Sequence, residues 1–338
     1  MDKVVNIGII GAGRIAKVHA ATLAYRIPSA RVLAIADVNL AAAQQVAAQF
    51  GIPTATADAA DIFANPAIDA VLICSITGTH APFIEAAAAA GKHIFCEKPI
   101  ALDLPQIDAA LAAVEKAGVK LQIGFNRRHD PNFARVRRAI VDGEIGVPAL
   151  LHIISRDPGP PPIEYVKGSG GMFLDMTIHD FDMARFLIGA EVEEIYVQAG
   201  ITVDPAIGEA GDVDTAVFML KFANGVIGTI DNCRRAPYGY DQRVEVLGSR
   251  GAIATTNNYP NAATISDASS VRRDLPLNFF MDRYTESFAT EVAAFVDAVL
   301  NDKPTTVTGY DGRVPVVMGL AARKSYEEGR PVKLSEIG

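Results

Sequence analysis

Val4-Val5-Asn6-Ile7-Gly8-Ile9-Ile10-Gly11-Ala12-Gly13-Arg14-Ile15-Ala16-Lys17-Val18-His19 is the stretch whose reading decides the fold. An apolar run of strand length meets Gly11-Ala12-Gly13. Apolar residues then recur at Ile15, Ala16, Val18 and Ala20, a helical rather than alternating spacing. The reading is strand, tight turn, helix. Gly11 permits the turn, Gly13 omits the Cβ that would obstruct a pyrophosphate, and Ala16 is small enough for helix and strand to pack closely. The N–H groups at the helix start, at the positive end of its dipole, then face phosphate. Such a turn also occurs purely for packing, so the reading leans on the acid downstream of it.

Working outward, Arg31–Ala36 reads as a second strand ending in Asp37, where a carboxylate can accept hydrogen bonds from an adenosine ribose. A carboxylate there repels a 2′-phosphate, which favours NAD over NADP; the competing role is a cap for the helix Asn39–Phe50. Then come Thr54–Ala57, a short helix Asp58–Asn65, the apolar strand Ala70–Ile73, the alanine-rich helix Thr79–Gly91 and the strand His93–Cys96. Helix Leu104–Ala117 and strand Lys120–Phe125 complete the series. Strands alternating with helices specify a doubly wound parallel sheet with right-handed crossovers, a Rossmann arrangement. Ligands gather at the strand C-terminal ends, where Gly11, Asp37, Ser75 and Glu97 fall. The cofactor-binding candidates are therefore Gly11, Gly13, Arg14, Ile15, Asp37, Ser75, Thr77, His80, Glu97 and Lys98. His80 at a helix start either lines the nicotinamide pocket or serves in capping or packing.

The character changes at Asn126, which divides the chain into 1–125 and 126–338. After an amphipathic helix Pro131–Asp142, strands are expected at Val147–Ile154, Val192–Ile201, Thr215–Phe222, Val226–Cys233 and Gln242–Gly248, with helices at Asp282–Leu300 and Val314–Glu328. A run of strands without intervening helices implies an α+β domain. Its open, mostly antiparallel sheet would have one face on helices and the other available to a partner subunit.

The 338 residues, 31 basic and 39 acidic, carry a formal charge of −8 with arginine doublets scattered, which argues against nucleic acid. Cys74, Cys96 and Cys233 share no ligand or CxxC spacing and read as buried hydrophobes of a reducing compartment. Asp2 and Lys3 lead directly into the first strand and no apolar run reaches membrane-spanning length, so a cytoplasmic location is expected.

The sharpest chemical constellation is Gly170-Gly171-Met172-Phe173-Leu174-Asp175-Met176-Thr177-Ile178-His179-Asp180. On one helix, Asp175 and His179 share a face, so a carboxylate orients an imidazole that can take a proton from an alcohol as its hydride leaves. The same pair also serves as an ordinary helical hydrogen bond. No second His or Cys stands at ligand spacing, so no metal is expected. Lys98, between Glu97 and Pro99 at the end of a buried strand, can donate to the reacting oxygen, or simply pair with Glu97.

The Gly-Ala-Gly-Arg-Ile-Ala turn, Glu97-Lys98-Pro99 and Asp175-x-x-x-His179 together resemble the Gfo/Idh/MocA oxidoreductases. GFNRRHDPNF from Gly124, SRDPGPPP from Ser155, GGMFLDMTIHDFDMARF from Gly170, AGDVDTA from Ala210 and YGYDQR from Tyr238 are similar to stretches of its inositol 2-dehydrogenase members. The resemblance spans nearly the whole chain. It implies NAD-dependent oxidation of the axial hydroxyl of myo-inositol to the 2-keto inosose by a homotetramer. It also casts Lys98, Asp175 and His179 as catalytic, with Arg127, Asp157, Tyr240, Ser155 and Tyr238 near substrate. Some members carry His where Ser155 stands and Asn where Asp157 stands, which leaves other inositol isomers or a pyranose open as substrates. A non-catalytic NAD-binding sensor is the remaining reading.

Overall fold

The computed structural model describes residues 3–338; Asp2, at the chain start, lies outside the described residues. The chain forms two compact units, one of residues up to His129 together with Glu286–Val316, the other of Asp130–Thr285 with Val317–Gly338.

In the first unit, β1 (Val5–Ile10), α1 (Arg14–Arg26), β2 (Ala30–Ala36), α2 (Leu40–Phe50), β3 (Thr54–Thr56), α3 (Ala60–Ala64), β4 (Ala70–Ile73), α4 (His80–Ala89), β5 (His93–Glu97), α5 (Leu104–Ala117) and β6 (Leu121–Gly124) come in order. All six strands pair in parallel in the order β3-β2-β1-β4-β5-β6, the doubly wound sheet expected. Ile7, Ile9, Leu72 and Phe95 are fully buried because helices cover both faces, which is why these strands read as unbroken apolar runs. The chain leaves β1 toward β2 and later returns on the other side as β4. The ends of β1 and β4 therefore flank the point where ligands bind in such sheets.

Caps account for several boundaries. Asp103 Oδ1 accepts from Gln106 N at 3.0 Å to start α5, and Gly118 at φ 66° ends it. The helix expected from Asp58 starts at Ala60 because Asp58 Oδ1 accepts from Ala60 N at 2.8 Å and holds a turn.

The second unit begins with α6 (Pro131–Val141), β7 (Pro148–Arg156), α7 (Ile163–Gly168), α8 (Gly171–Asp175), α9 (Ile178–Ile188), β8 (Val192–Gly200), α10 (Pro205–Glu209), β9 (Thr215–Phe222), β10 (Ile227–Cys233), β11 (Asp241–Gly248), β12 (Gly251–Ala254), β13 (Thr264–Ser266), β14 (Val271–Arg273) and α11 (Phe280–Arg283). The chain then runs through α12 (Thr285–Leu300), α13 (Gly309–Glu328) and β15 (Val332–Lys333). Seven strands form the sheet β12-β11-β7-β10-β9-β8-β15. It is mostly antiparallel as expected, with one parallel pair, β7 with β10. The chain makes that pairing after passing through helices and the β8–β9 hairpin, the long crossover that parallel strands require. Along β9, Ala216, Phe218, Leu220 and Phe222 are buried while Val217, Met219 and Lys221 are exposed. Phe218 meets Phe181 of α9 edge-on at 5.5 Å, so the inner face rests on helices.

Two helical expectations shift. The segment from Asp282 is broken at Tyr284 into α11 and α12. The last helix begins at Gly309, ahead of Pro315, because Thr308 and Asp311 cap each other: Asp311 Oδ2 accepts from Thr308 N at 2.9 Å and Thr308 Oγ1 from Asp311 N at 3.2 Å. No helix among the described residues is long and apolar enough to cross a membrane.

Candidate active site

The first unit supplies the nucleotide half. Gly11 comes directly after β1 at φ 103°, and a Cβ there would lie 2.5 Å from the carbonyl oxygen of Cys74 after β4, so glycine is required twice over. At Gly13 the φ is ordinary and a Cβ would meet nothing within 4 Å. Protein packing does not demand that glycine, and the space in front of it is open. Gly13 caps α1 with no side-chain hydrogen bond and no acid in the first turn, which leaves the helix start open to an anion. Arg14 and Ile15 form that first turn, Arg14 exposed and Ile15 half-buried.

Asp37 stands at the end of β2, its Oδ2 accepting from Ala12 N at 2.7 Å and its Oδ1 from Asn39 N at 2.8 Å. It thereby braces the glycine turn. The cap of α2 is Asn39, not Asp37, since Asn39 Oδ1 accepts from Ala42 N. These residues fit a dinucleotide: an uncapped helix start, an open Gly13 and a carboxylate at the second strand end. Replacing Asp37 with alanine is expected to weaken NAD binding about tenfold, as one charge-assisted hydrogen-bonding partner is lost. The variant should gain relative affinity for NADP, and calorimetric titration with both nucleotides checks this. An unchanged ratio would leave Asp37 only its structural contacts.

Beyond β4, Ser75 Oγ bonds Thr79 Oγ1 at 2.7 Å, and Thr77 opens a single 3-10 turn before α4. His80 is buried with Nδ1 2.7 Å from Pro99 O and Nε2 3.0 Å from Ser75 O. It lies between the loop after β4 and the Glu97-Lys98-Pro99 segment with a carbonyl oxygen facing each ring nitrogen, and a neutral ring donates to one of the two. Glu97 and Lys98 end β5 half-buried. Arg127, in a 3-10 turn after β6, is buried.

The second unit carries the imidazole. Asp175 and His179 do not share one helix: Asp175 ends α8, and His179 is the second residue of α9. Thr177 N reaches back to Met172 O at 2.9 Å, and His179 N bonds Met176 O at 3.3 Å in place of the ordinary four-residue step. That wider turn, a device common at functional sites, is pinned from below. Thr177 Oγ1 donates to Asn232 Oδ1 at 2.6 Å, while Asn232 Nδ2 donates to Asp180 Oδ2 at 2.9 Å and Ser155 O at 3.3 Å, all four residues fully buried.

Asp175 is held by two groups that no sequence motif singled out. Tyr165 donates its hydroxyl to Asp175 Oδ1 at 2.8 Å; burial and then the Asp175 charge push that phenol up, so it stays a donor. Arg234, 2% exposed, directs Nη2 to Asp175 Oδ2 at 3.5 Å and to Asp212 Oδ2 at 3.9 Å, and Nη1 to Asp157 Oδ2 at 3.9 Å. One buried guanidinium thus serves three carboxylates. Asp212 also accepts from Met172 N at 3.0 Å, and a Cβ at Gly171, φ 77°, would strike Asp212 Oδ1 at 2.7 Å, so the Gly170-Gly171 pair makes room for this cluster.

The remaining candidates lie on the same unit. Ser155 Oγ donates to Gln242 Oε1 at 3.1 Å, and Asp157 N donates to Cys233 O at 3.0 Å. Tyr238 donates to Asp241 Oδ2 at 2.6 Å and accepts from Arg156 at 3.1 Å. Burial raises Asp241, but hydrogen bonds from Arg243, Tyr238 and Asn257 outweigh it and hold the group at about 2. Tyr240 is buried with its ring edge-on to Tyr284 at 6.0 Å.

Two family models match, the oxidoreductase family with NAD-binding Rossmann fold over residues 5–125 and the Gfo/Idh/MocA C-terminal domain over residues 133–254. The chain is 46% identical to the myo-inositol 2-dehydrogenase of Thermotoga maritima, covering 98% of this chain and 99% of that one. It is also 46% identical to the inositol 2-dehydrogenase of Rhizobium meliloti strain 1021, with the same coverages. Among solved structures, a scyllo-inositol dehydrogenase from Lactobacillus casei with bound NAD(H) and scyllo-inositol superposes with a TM-score of 0.92. Its identity is 30%, over 98% of this chain and 100% of that one.

Proposed function

Because the chain belongs to the Gfo/Idh/MocA oxidoreductase family, we propose that it oxidises the axial 2-hydroxyl of myo-inositol to 2-keto-myo-inositol with NAD as acceptor. The observation that carries the reading is the pinned break between α8 and α9, which sets Asp175 on one side, beside the buried Arg234 guanidinium, and His179 on the other. NAD, held by the Gly11–Ile15 turn, Asp37, Ser75, Thr77 and the Glu97-Lys98 strand end, supplies the hydride acceptor. His179 accepts the hydroxyl proton. Asp175 orients the ring and supports the imidazolium that forms. Lys98 donates to the reacting oxygen and stabilises its developing negative charge. Arg127, Asp157, Tyr238 and Tyr240 contact the other ring hydroxyls, while Ser155, fully buried with its hydroxyl on Gln242, stands behind them; fixed donors and acceptors of this kind distinguish polyol isomers by large factors.

Steady-state rates of NADH formation across myo-, scyllo- and chiro-inositol and glucose test the assignment. A clear preference for myo-inositol supports it, and a preference for another ring polyol transfers the same chemistry to that substrate. The scyllo isomer is the second reading, favoured by the Lactobacillus casei relative. Absence of NADH with every polyol would point to a sensor.

We further propose a homotetramer assembled through the outer face of the seven-stranded sheet. Leu247, Leu150 and Ile227 align across β11, β7 and β10, with Val217 and Met219 outward on β9. All five are exposed by more than two-fifths. The three-residue apolar row, which ends at Lys221 on β9, and the two apolar side chains beyond it leave large hydrophobic groups in solvent on this face, as an interaction surface does. Leu150→Lys, placing a charge amid the Leu247–Leu150–Ile227 row, is expected to lower the assembly mass in sedimentation equilibrium; an unchanged mass would remove this face from the interface. The three cysteines are unbridged, and the proposal places the enzyme in a reducing cytoplasm.

A further inference from the structure

At the end of β5 lies a buried group of side chains of which the proposed chemistry uses only Glu97. His19 of α1, Glu97 of β5 and Glu291 of α12 bring one ligand atom each to within 4.8 Å of the others. His19 Nε2 is 2.6 Å from Glu97 Oε1, and the ring is walled by Phe95 and Phe288 edge-on. The Glu97 side chain is 13% exposed, whereas His19 is fully buried and Glu291 is 1% exposed. Both Glu291 carboxyl oxygens are buried without a hydrogen-bond partner in the protein. Its backbone carbonyl is fixed by Gln122 Nε2 at 2.8 Å, so the helix carrying it is tied to β6. Glu97 is confined from its other side, since a Cβ at Gly124 would come within 3.0 Å of its Oε2.

Two carboxyl groups this close, one of them sealed from solvent, do not both ionise. Of the pair, Glu97 has access to the surface and an imidazole partner. Glu291 has neither, and burial together with the charge of Glu97 pushes it up. The thiols packed nearby, Cys74 and Cys96, are raised by burial and by Glu97, so they add no charge. We infer that Glu291 is a neutral carboxylic acid whose proton is directed toward Glu97 through one bridging water, and that it acts with His19 as a positioning residue for the Glu97-Lys98 strand end. The gap is of a size that one water spans with an oxygen on each side. The inference rests on the assignment of Glu97 and Lys98 to the cofactor side and goes beyond it, since nothing in the reaction calls for a second buried acid there.

Infrared difference spectra of the full-length protein against Glu291→Gln, at neutral pH, read the protonation state. A protonated-carboxyl stretching band present in the wild type and lost in the variant is expected. NAD titration supplies the functional readout. Glu291→Gln, which keeps the shape and a hydrogen-bond donor, should bind NAD within about twofold of wild type. Glu291→Leu, which removes the Glu291 donor and leaves Glu97 only its His19 contact, should bind about tenfold more weakly. Loss of carboxylate bands in place of the protonated band would overturn the inference, as would equal NAD affinity in the Gln and Leu variants. So would a stoichiometric divalent cation in the purified wild type that disappears in Glu291→Gln, because the cluster would then be a metal site. The infrared arm stands even if the Leu variant fails to fold. Neither readout involves a polyol, so failure here is distinguishable from failure of the inositol assignment.

Discussion

In a His179→Ala variant, kcat for polyol oxidation is expected to fall about a thousandfold while NAD affinity stays at the wild-type value. The base is the only group proposed to change its proton count in the chemical step, so its loss is felt in the barrier more than in cofactor binding. The pH profile carries the sharper signature. An imidazole ordinarily titrates at about 6.5 and works as a base only when neutral, so wild-type oxidation should decline on acidification. The residual rate of the variant should lose that acid limb. Stopped-flow NADH formation from acid to neutral pH measures both, and a variant with the wild-type rate and profile would refute the role of His179.

Arg234→Leu is expected to cost about 3–5 kcal/mol of stability, read from urea unfolding, because removing one partner leaves buried charges uncompensated. Asp175 and Asp212 are each under 15% exposed and Asp157 about a quarter, all within 4 Å of that single guanidinium. Without it, Asp175 also loses a group that aims it, so kcat falls alongside stability while NAD affinity does not. Arg234→Lys restores a charge without the planar fork and should recover part of the stability and less of the rate. A leucine variant as stable as wild type would show that the three carboxylates draw their stability from elsewhere.

The nucleotide half was legible because its signals are local. A glycine that must turn, a glycine that must leave space, and a carboxylate at the end of the next strand are each tied to a strand boundary, and alternating periods expose those boundaries. The sheet of the second unit was legible as mostly antiparallel, but the parallel β7–β10 pair depends on which distant strands meet, which no local pattern reports. Spacing singled out Asp175 and His179 as candidates, though the four-residue interval concealed a break whose Thr177 and Asp180 are bonded by Asn232 far along the chain. Arg234 sat in view within an arginine doublet. Nothing in Arg234-Arg235 distinguishes a buried guanidinium from a solvated one, and only the convergence of Asp157, Asp175 and Asp212 does so. Glu291 lies on a helix whose apolar positions were readable, but an acid on the buried face looks from sequence like any amphipathic irregularity.

Isotope transfer tests the central claim most directly. With myo-inositol deuterated at C2 as substrate, the reduced cofactor recovered from the reaction should carry one deuterium by mass spectrometry, and its formation should be slower than with the unlabelled polyol. Reduced cofactor without the label, or no reduced cofactor while NAD binds normally, would contradict the account.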